Sequence, residues 1–327
     1  MCMHTPPLEI IHSLPNIAPC EHIAGNEKFA LKAFGLQGRY LSSQGCSLPS
    51  QGRSLVDVTL DLEDGAPIGQ EDLLRKLFVT MLHSSQNAFG QVGVRIHAPN
   101  SSEVTRDIEL LISGAGARIS YITIPKVRSV REVLWIAGLI EHYMKNAGLS
   151  RTIPLHLLIE TPEALAVLPH LAALPQVESL DLGLMDFISQ LGGAVPAECM
   201  RSPGQFDHKL ISSINSQIVL AALGANKVAN HNVTIDVRDP EQAYADAYRA
   251  RHEFGFLRMW SIHPEQIDPI IRGMTPSHQE LEHAREIITA AAAANWGPIQ
   301  IDGKLHDRAS FRYFWGVLQR SGEPLLK

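Results

Sequence analysis

The sequence predicts a closed (β/α)8 barrel followed by a small C-terminal helix–hairpin–helix extension. Apolar runs of strand length alternate with stretches of helical periodicity, giving eight βα units in about 270 residues, which is the period and size of such barrels. Charged residues recur at the C-terminal ends of the apolar runs, the end at which parallel α/β folds place their chemistry. A doubly wound sheet is the alternative that pattern alone leaves open.

The centre of the pattern is the stretch 153–187, IPLHLLIETPEALAVLPHLAALPQVESLDLGLMDF. Runs 153–159 and 177–184 have the length of buried strands, and 162–174 between them carries apolar residues at helical spacing. A right-handed crossover sets the ends of the two strands side by side, so the carboxylates that follow them, Glu160 and Asp186, face one rim. Ahead of this unit, 17–24 is predicted as a first strand, and Asn26 caps an amphipathic helix. Residues 38–54, rich in Gly, Ser and Gln, read as an exposed loop. Strands are predicted at 55–62, 91–96 and 119–124, with helices at 70–84, 102–112 and 130–146. Beyond it follow a helix at 205–223, a strand at 227–236, a helix at 240–254 and a strand at 257–262. The barrel is thus assigned to residues 1–274, and residues 275–327 to the extension, in which two helices flank the hairpin-like GPIQIDGKLHD. That extension is too short to fold alone and is expected to pack on a barrel.

Composition narrows the function. The net charge of -6 is scattered, which excludes a nucleic-acid stripe or a polybasic membrane patch and points to a small-molecule partner. Cys2, Cys20, Cys46 and Cys199 lie far apart without zinc-finger or CxxC spacing, as suits free thiols in a reducing compartment. No signal-peptide pattern or bilayer-length apolar run is present, so a cytoplasmic protein is expected.

Glu63, Asp64, Arg95, Lys126, Glu160, Asp186 and His263 all fall at or just past predicted strand ends. Each has an ordinary structural reading: Asp186 as a helix cap, Lys126 as a partner of Glu63, and His263 as a packed residue fixing the turn before Pro264. Together they would crowd one rim with charge, which is costly unless the groups pair or hold an ion. Glu160 and Asp186 on adjacent strands suit a hard cation with oxygen ligands, Mg²⁺ rather than zinc. Gly183, Leu184 and Met185 could bring backbone N–H groups close to a bound carboxylate, the alternative being a glycine needed for packing. Arg95 would then clamp an α-keto acid beside the metal, with Glu63 and Asp64 orienting it. The GAG at 114–116 lacks the third glycine and the preceding strand of a dinucleotide fingerprint.

These residues resemble the citrate lyase β-subunit-like branch of the HpcH/HpaI aldolase/citrate lyase family, which includes malyl-CoA and citramalyl-CoA lyases. The matching stretches are DLEDG at 61–65, VRI at 94–96, IPKV at 124–127, LIET at 158–161, LGLMD at 182–186 and SIHPEQI at 261–267, in the family's order. The resemblance implies a TIM barrel, Mg²⁺ on Glu160 and Asp186, Arg95 on the keto-acid oxygens and a trimeric or hexameric assembly. It also implies that Asp307 acts as acid/base in a neighbouring subunit's site. The implied reaction is cleavage or formation of a 3-hydroxyacyl-CoA from an acyl-CoA and an α-keto acid. An aldolase acting without coenzyme A and a non-catalytic barrel that binds keto acid are the competing readings. The chain departs from the family pattern in the turn after its first strand, at His97 and Phe187, and at Leu257-Arg258. The first and last of these lie where relatives hold the coenzyme A chain.

Overall fold

A computed structural model describes residue 7, residues 14–41 and residues 53–321. Most of the predicted 38–54 loop, with Cys2 and Cys46, lies outside the described residues.

The first half of the barrel runs β1 (Cys20–Ala24), α1 (Glu27–Gln37), β2 (Val56–Asp61), α2 (Glu71–His83), β3 (Val92–Arg95), α3 (Val104–Ala115), β4 (Ile122–Ile124) and α4 (Val130–Asn146). The second half runs β5 (Leu155–Ile159), α5 (Pro162–Ala166), α6 (Leu168–Ala172), β6 (Val177–Leu182), α7 (Leu184–Ser189), α8 (Gly204–Asp207), α9 (Lys209–Gly224), β7 (Val228–His231), α10 (Pro240–Arg249), β8 (Arg258–Ser261) and α11 (Ile267–Met274). All eight strands pair in parallel and in sequence order, and β8 returns to β1 through Cys20 opposite Met259 and His22 opposite Ser261. The (β/α)8 TIM barrel predicted from the alternation is therefore the fold. Its strands read as apolar runs because both faces are buried, one in the barrel and one under the helices.

Helix starts follow local chemistry. Asn26 caps α1 by accepting from the Phe29 N–H at 3.0 Å. Ser129 and Glu132 form a reciprocal capping box on α4. Thr161 caps α5 just before Pro162, where a missing N–H is harmless. The predicted helix 162–174 is divided at Val167 into α5 and α6, because Pro169 cannot donate to the preceding turn. The predicted helix 205–223 is divided at His208, whose ψ of 123° is extended. Past α10, a π-helical turn over Ala250–Phe254 ends at Gly255, whose φ of 92° suits glycine. The predicted strands 177–184 and 227–236 stop earlier, at Leu182 and His231.

Thr275–Lys327 belong to a second compact unit, to which Met1–Leu14 and Leu41–Arg53 are also assigned. It contains α12 (His278–Ala293), a hairpin of β9 (Ile299–Ile301) and β10 (Lys304–His306), and α13 (Arg308–Arg320). Asp302 and Gly303 both have positive φ, 50° and 75°, as a two-residue hairpin turn requires. Its core is Ile287, Ile288, Trp296, Phe311 and Trp315.

A buried ion network ties α2 to α3 beneath the third strand. The Arg75 Nε donates to Asp107 Oδ1 at 2.7 Å, and the other oxygen of Asp107 accepts from the His97 backbone N–H at 2.8 Å and meets its Nδ1 at 2.7 Å. The Asp107 hydrogen bond raises the His97 pKa above its ordinary 6.5, against the opposing effects of burial and Arg75. A raised folded-state pKa adds stability that is fully present below about pH 6.5 and disappears as pH rises through the folded value. His97→Gln is therefore expected to destabilise the protein at pH 6 and much less at pH 9. Denaturation midpoints at the two pH values check this, and equal losses would deny His97 its charged pairing.

Candidate active site

The chemistry of the rim begins with Asp61, the last residue of β2. Its carboxylate is fully buried and takes a two-point contact from Arg95 at the end of β3, Nε to Oδ1 at 2.7 Å and Nη2 to Oδ2 at 2.6 Å. The same two oxygens accept from the backbone N–H groups of Glu63, at 3.0 Å, and Gly65, at 2.9 Å. The chain can fold back this tightly only with glycine at 65, since a Cβ there would sit 2.3 Å from Asp61 Oδ2. Glu63 approaches the third guanidinium nitrogen at 3.3 Å. Burial alone would weaken the Arg95 charge, but Asp61 outweighs it and holds the guanidinium firmly protonated. The plane of Arg95 also lies over the Trp260 ring, 5.8 Å from its centroid.

Lys126 connects this group to the metal-binding candidates. It follows β4 with a φ of 50°, a left-handed conformation uncommon outside glycine, and that turn sends its two donors in different directions. Its Nζ reaches Glu63 Oε1 at 2.5 Å and both oxygens of Asp64 at 2.9–3.0 Å. Its backbone N–H donates to Glu160 Oε1 at 2.5 Å. Burial raises the Glu63 carboxyl, whereas on Asp64 the hydrogen bonds from Lys126 outweigh burial and lower it.

Glu160 directly follows β5 and is buried, and Asp186 lies in the first turn of α7, just past β6. Burial first, and then repulsion from Asp186, push the Glu160 pKa up to about 8. Asp186 is half-buried and is likewise raised, chiefly by burial. Two carboxyls whose ionisation is suppressed by burial, one of them also by the other's charge, suit a divalent cation, whose charge would stabilise both anions. The donor set is oxygen only, as Mg²⁺ prefers. Gly183 makes room for Glu160. A Cβ on it would meet Glu160 Oε2 at 2.3 Å, so Gly183→Ala is expected to displace the carboxylate and weaken Mg²⁺ binding by roughly tenfold or more, the scale of losses when a ligand's support is disturbed. Titration of the variant with Mg²⁺ tests this; unchanged affinity would show that Glu160 is not a ligand.

Several sequence-predicted roles are altered by these contacts. Asp61, rather than Glu63 and Asp64, is the main support of Arg95, and Asp64 is engaged with Lys126. The Gly183 N–H is spent on Ile159 O at 3.2 Å. Buried Leu184 and exposed Met185, the first residues of α7, supply the N–H groups that have no acceptor within the helix. His263 caps a short 3₁₀ turn, its Nδ1 accepting from the Glu265 N–H at 3.3 Å and its own N–H donating to Gln266 Oε1 at 3.2 Å. This is the turn-fixing role foreseen for it as the structural alternative. Asp307 in the second unit caps α13, accepting from the Ala309 N–H at 3.0 Å and the Ser310 N–H at 3.4 Å, and is exposed.

Sequence reasoning missed the polar residues inside the barrel: Glu21, Asp57, His156, Asp181 and Arg258, all fully or almost fully buried. The available signal was a charged or imidazole side chain within an otherwise apolar strand.

Residues 53–264 match the family model described as HpcH/HpaI aldolase/citrate lyase. The crystal structure of a citrate lyase from Burkholderia xenovorans is 42% identical, with a TM-score of 0.84, and the match covers 95% of this chain and 94% of that one. The curated L-malyl-CoA/beta-methylmalyl-CoA lyase of Rhodobacter capsulatus is 26% identical over 275 residues, 80% of this chain and 86% of that protein. The Mycobacterium tuberculosis protein CitE, solved in complex with magnesium, acetoacetate and coenzyme A, shares the fold with a TM-score of 0.67 at 22% identity, covering 94% of this chain and 99% of that one. The chain belongs to the HpcH/HpaI aldolase/citrate lyase family and is an enzyme of its carbon–carbon lyase type.

Proposed function

We propose that this Mg²⁺-dependent carbon–carbon lyase cleaves a 3-hydroxyacyl-CoA into an acyl-CoA and an α-keto acid, or joins them, at the rim built by Asp61, Arg95, Glu160 and Asp186. The observation that carries the reading is buried Glu160, whose ionisation is suppressed by burial and by the charge of Asp186, seated against Gly183 and under the influence of the Arg95 guanidinium held rigid by Asp61. Glu160 and Asp186 would hold the ion, which supplies Lewis-acid polarisation of the keto-acid oxygens. Arg95 binds the developing negative charge on the same oxygens, and because Asp61 already fixes its plane, little reorganisation is needed as charge builds up. The N–H groups of Leu184 and Met185 are placed to receive the keto-acid carboxylate. Lys126 positions Glu160 through its backbone N–H and neutralises Glu63 and Asp64 with its ammonium. Relatives named as malyl-CoA lyases and a neighbour bound to coenzyme A support the thioester half of the substrate.

Proton transfer at the acyl carbon needs a further group. The reading assigns it to Asp307 of a neighbouring chain in a homotrimer or hexamer, the extension 275–327 packing on that neighbour. No helix among the described residues is long and apolar enough to cross a membrane. Buried free Cys20 and Cys199 are consistent with a cytoplasmic protein, and no nucleic-acid or membrane partner is assigned.

The test pairs acetyl-CoA or propionyl-CoA with glyoxylate, pyruvate or oxaloacetate, with Mg²⁺ or with EDTA. Condensation that EDTA abolishes is expected; no condensation or cleavage with any pair would reject the reading, and turnover of free hydroxy-keto acids unaffected by coenzyme A would reject the thioester. Mixing Asp307→Ala with Asp186→Ala chains should restore activity through shared sites. Mixed oligomers no more active than either parent would return Asp307 to its capping role alone.

A further inference from the structure

Deeper in the barrel than the rim lies a second polar cluster that the lyase reaction does not use. His156 lies in β5, and Glu160, four residues on, directly follows that strand, about 13 Å away at strand rise. One ligand atom from each of Glu21, His156 and Asp181 lies within 4.8 Å of the others, and all three residues are fully buried. They come from β1, β5 and β6 and are brought together by closure of the sheet.

Each of the three is oriented from outside the cluster. His156 Nε2 lies 3.2 Å from Glu178 Oε2. A carboxylate can only accept, so Nε2 carries a proton and the neutral ring has its lone pair on Nδ1, which has no hydrogen-bond partner among the described residues. Against burial, Glu178 and Asp181 raise the His156 pKa above its ordinary 6.5, so an ion bound at Nδ1 displaces a proton from the charged ring. Asp181 Oδ1 accepts from the Ser179 hydroxyl, while its buried Oδ2 has no hydrogen-bond partner among the described residues. Glu21 is held by Asn230, whose Nδ2 donates to Oε2 at 2.8 Å, and by the Thr59 hydroxyl on Oε1. A histidine whose far nitrogen is tied to a carboxylate, leaving the near one open, is the arrangement that supports metal ligation.

Charge points the same way. Arg258 pairs with Glu21 at 2.9 Å and with Asp57 at 2.6 Å, so one guanidinium already serves two carboxylates and Asp181 adds another buried acid. Unpartnered buried acceptors bear the full cost of desolvation, and a cation would relieve both at once.

We propose that Glu21, His156 and Asp181 form a buried site for a divalent transition-metal ion, Zn²⁺ in the first instance, which ties β1 to β5 and β6 across the barrel interior. An imidazole among the ligands favours such an ion over the Mg²⁺ of the rim. Because all three ligands are closed off from solvent, the ion enters as the barrel folds and exchanges slowly afterwards. The competing occupant is a proton, since burial and then Glu21 raise the Asp181 pKa to about 6.

The test uses the full chain. Protein produced with added zinc and dialysed against EDTA should retain about one equivalent of Zn²⁺ per chain, the stoichiometry of a closed structural site, as measured by elemental analysis. Asp186→Ala should retain it as well, which separates this site from the rim, whereas Asp181→Asn should lose it. Wild-type protein unfolded in guanidinium with EDTA and refolded with Zn²⁺ should melt higher than protein refolded with Mg²⁺ alone. If Asp181→Asn fails to fold, this refolding comparison decides by itself. Zinc absent from the wild type with equal melting points, or retained equally by Asp181→Asn, overturns the proposal and leaves the cluster protonated or hydrated.

Discussion

Asp186→Ala is expected to lower lyase turnover by about 10³-fold, the scale seen when a main electrostatic stabiliser of developing charge is removed, while leaving the barrel folded. The side chain is half-buried in the first turn of a short helix and contributes nothing to the apolar core. Removing it also relieves the repulsion that helps to suppress ionisation of Glu160, so the metal-free protein should be no less stable than wild type. What should vanish is the rise in melting temperature on adding Mg²⁺, which for a ligand at a hundred times its Kd corresponds to about 2.7 kcal/mol. Thermal melts with and without Mg²⁺, set beside turnover, test both halves. An Asp186→Ala protein that turns over normally, or still gains stability from Mg²⁺, would remove Asp186 from the metal site.

Asp61→Ala should fail differently, by losing stability as well as activity. The substitution removes both acceptors from the Arg95 fork and from the Glu63 and Gly65 N–H groups. Breaking a buried ion pair by deleting one partner costs about 3–5 kcal/mol, because the other charge stays buried without its counter-ion. Glu63, at 3.3 Å from Arg95, can offset part of that loss. Asp61→Asn keeps an acceptor for the turn but loses the charge, so it should recover part of the stability and little of the activity. Urea denaturation of the two variants separates these effects; a loss below about 1 kcal/mol for Asp61→Ala would place the pair in the range of solvent-exposed ion pairs.

Strand and helix positions were readable from the chain because both depend on local order. Periodicity tells a buried strand from an amphipathic helix, and caps such as Asn26, Ser129 and Thr161 act within a single turn. Strand ends locate the rim of a parallel barrel, so Arg95, Glu160 and Asp186 could be placed there from order alone. Local order could not say which acid of the DLEDG stretch at 61–65 would meet Arg95. That depends on pairing of Asp61 with Arg95 across β2 and β3, and on the close fold-back that Gly65 permits. Nor could it say whether Gly183 serves through its N–H or through the absence of a side chain, since the answer lies in Glu160 pressing against it from the neighbouring strand. The helix predictions crossed Val167 and His208 because periodicity continues through both breaks, while the backbone turns there.

The interior cluster lies furthest from what the sequence by itself determined. Glu21 and Arg258 are far apart in the chain and become partners only when β8 closes onto β1, and His156 and Asp181 face Glu21 from other sides of the same closed sheet. Alternation along a strand marks which side chains point inward, and it carries no information about what waits for them inside. Only the closure of the barrel decided that, by setting residues from distant strands at hydrogen-bonding distance in a space buried from bulk solvent.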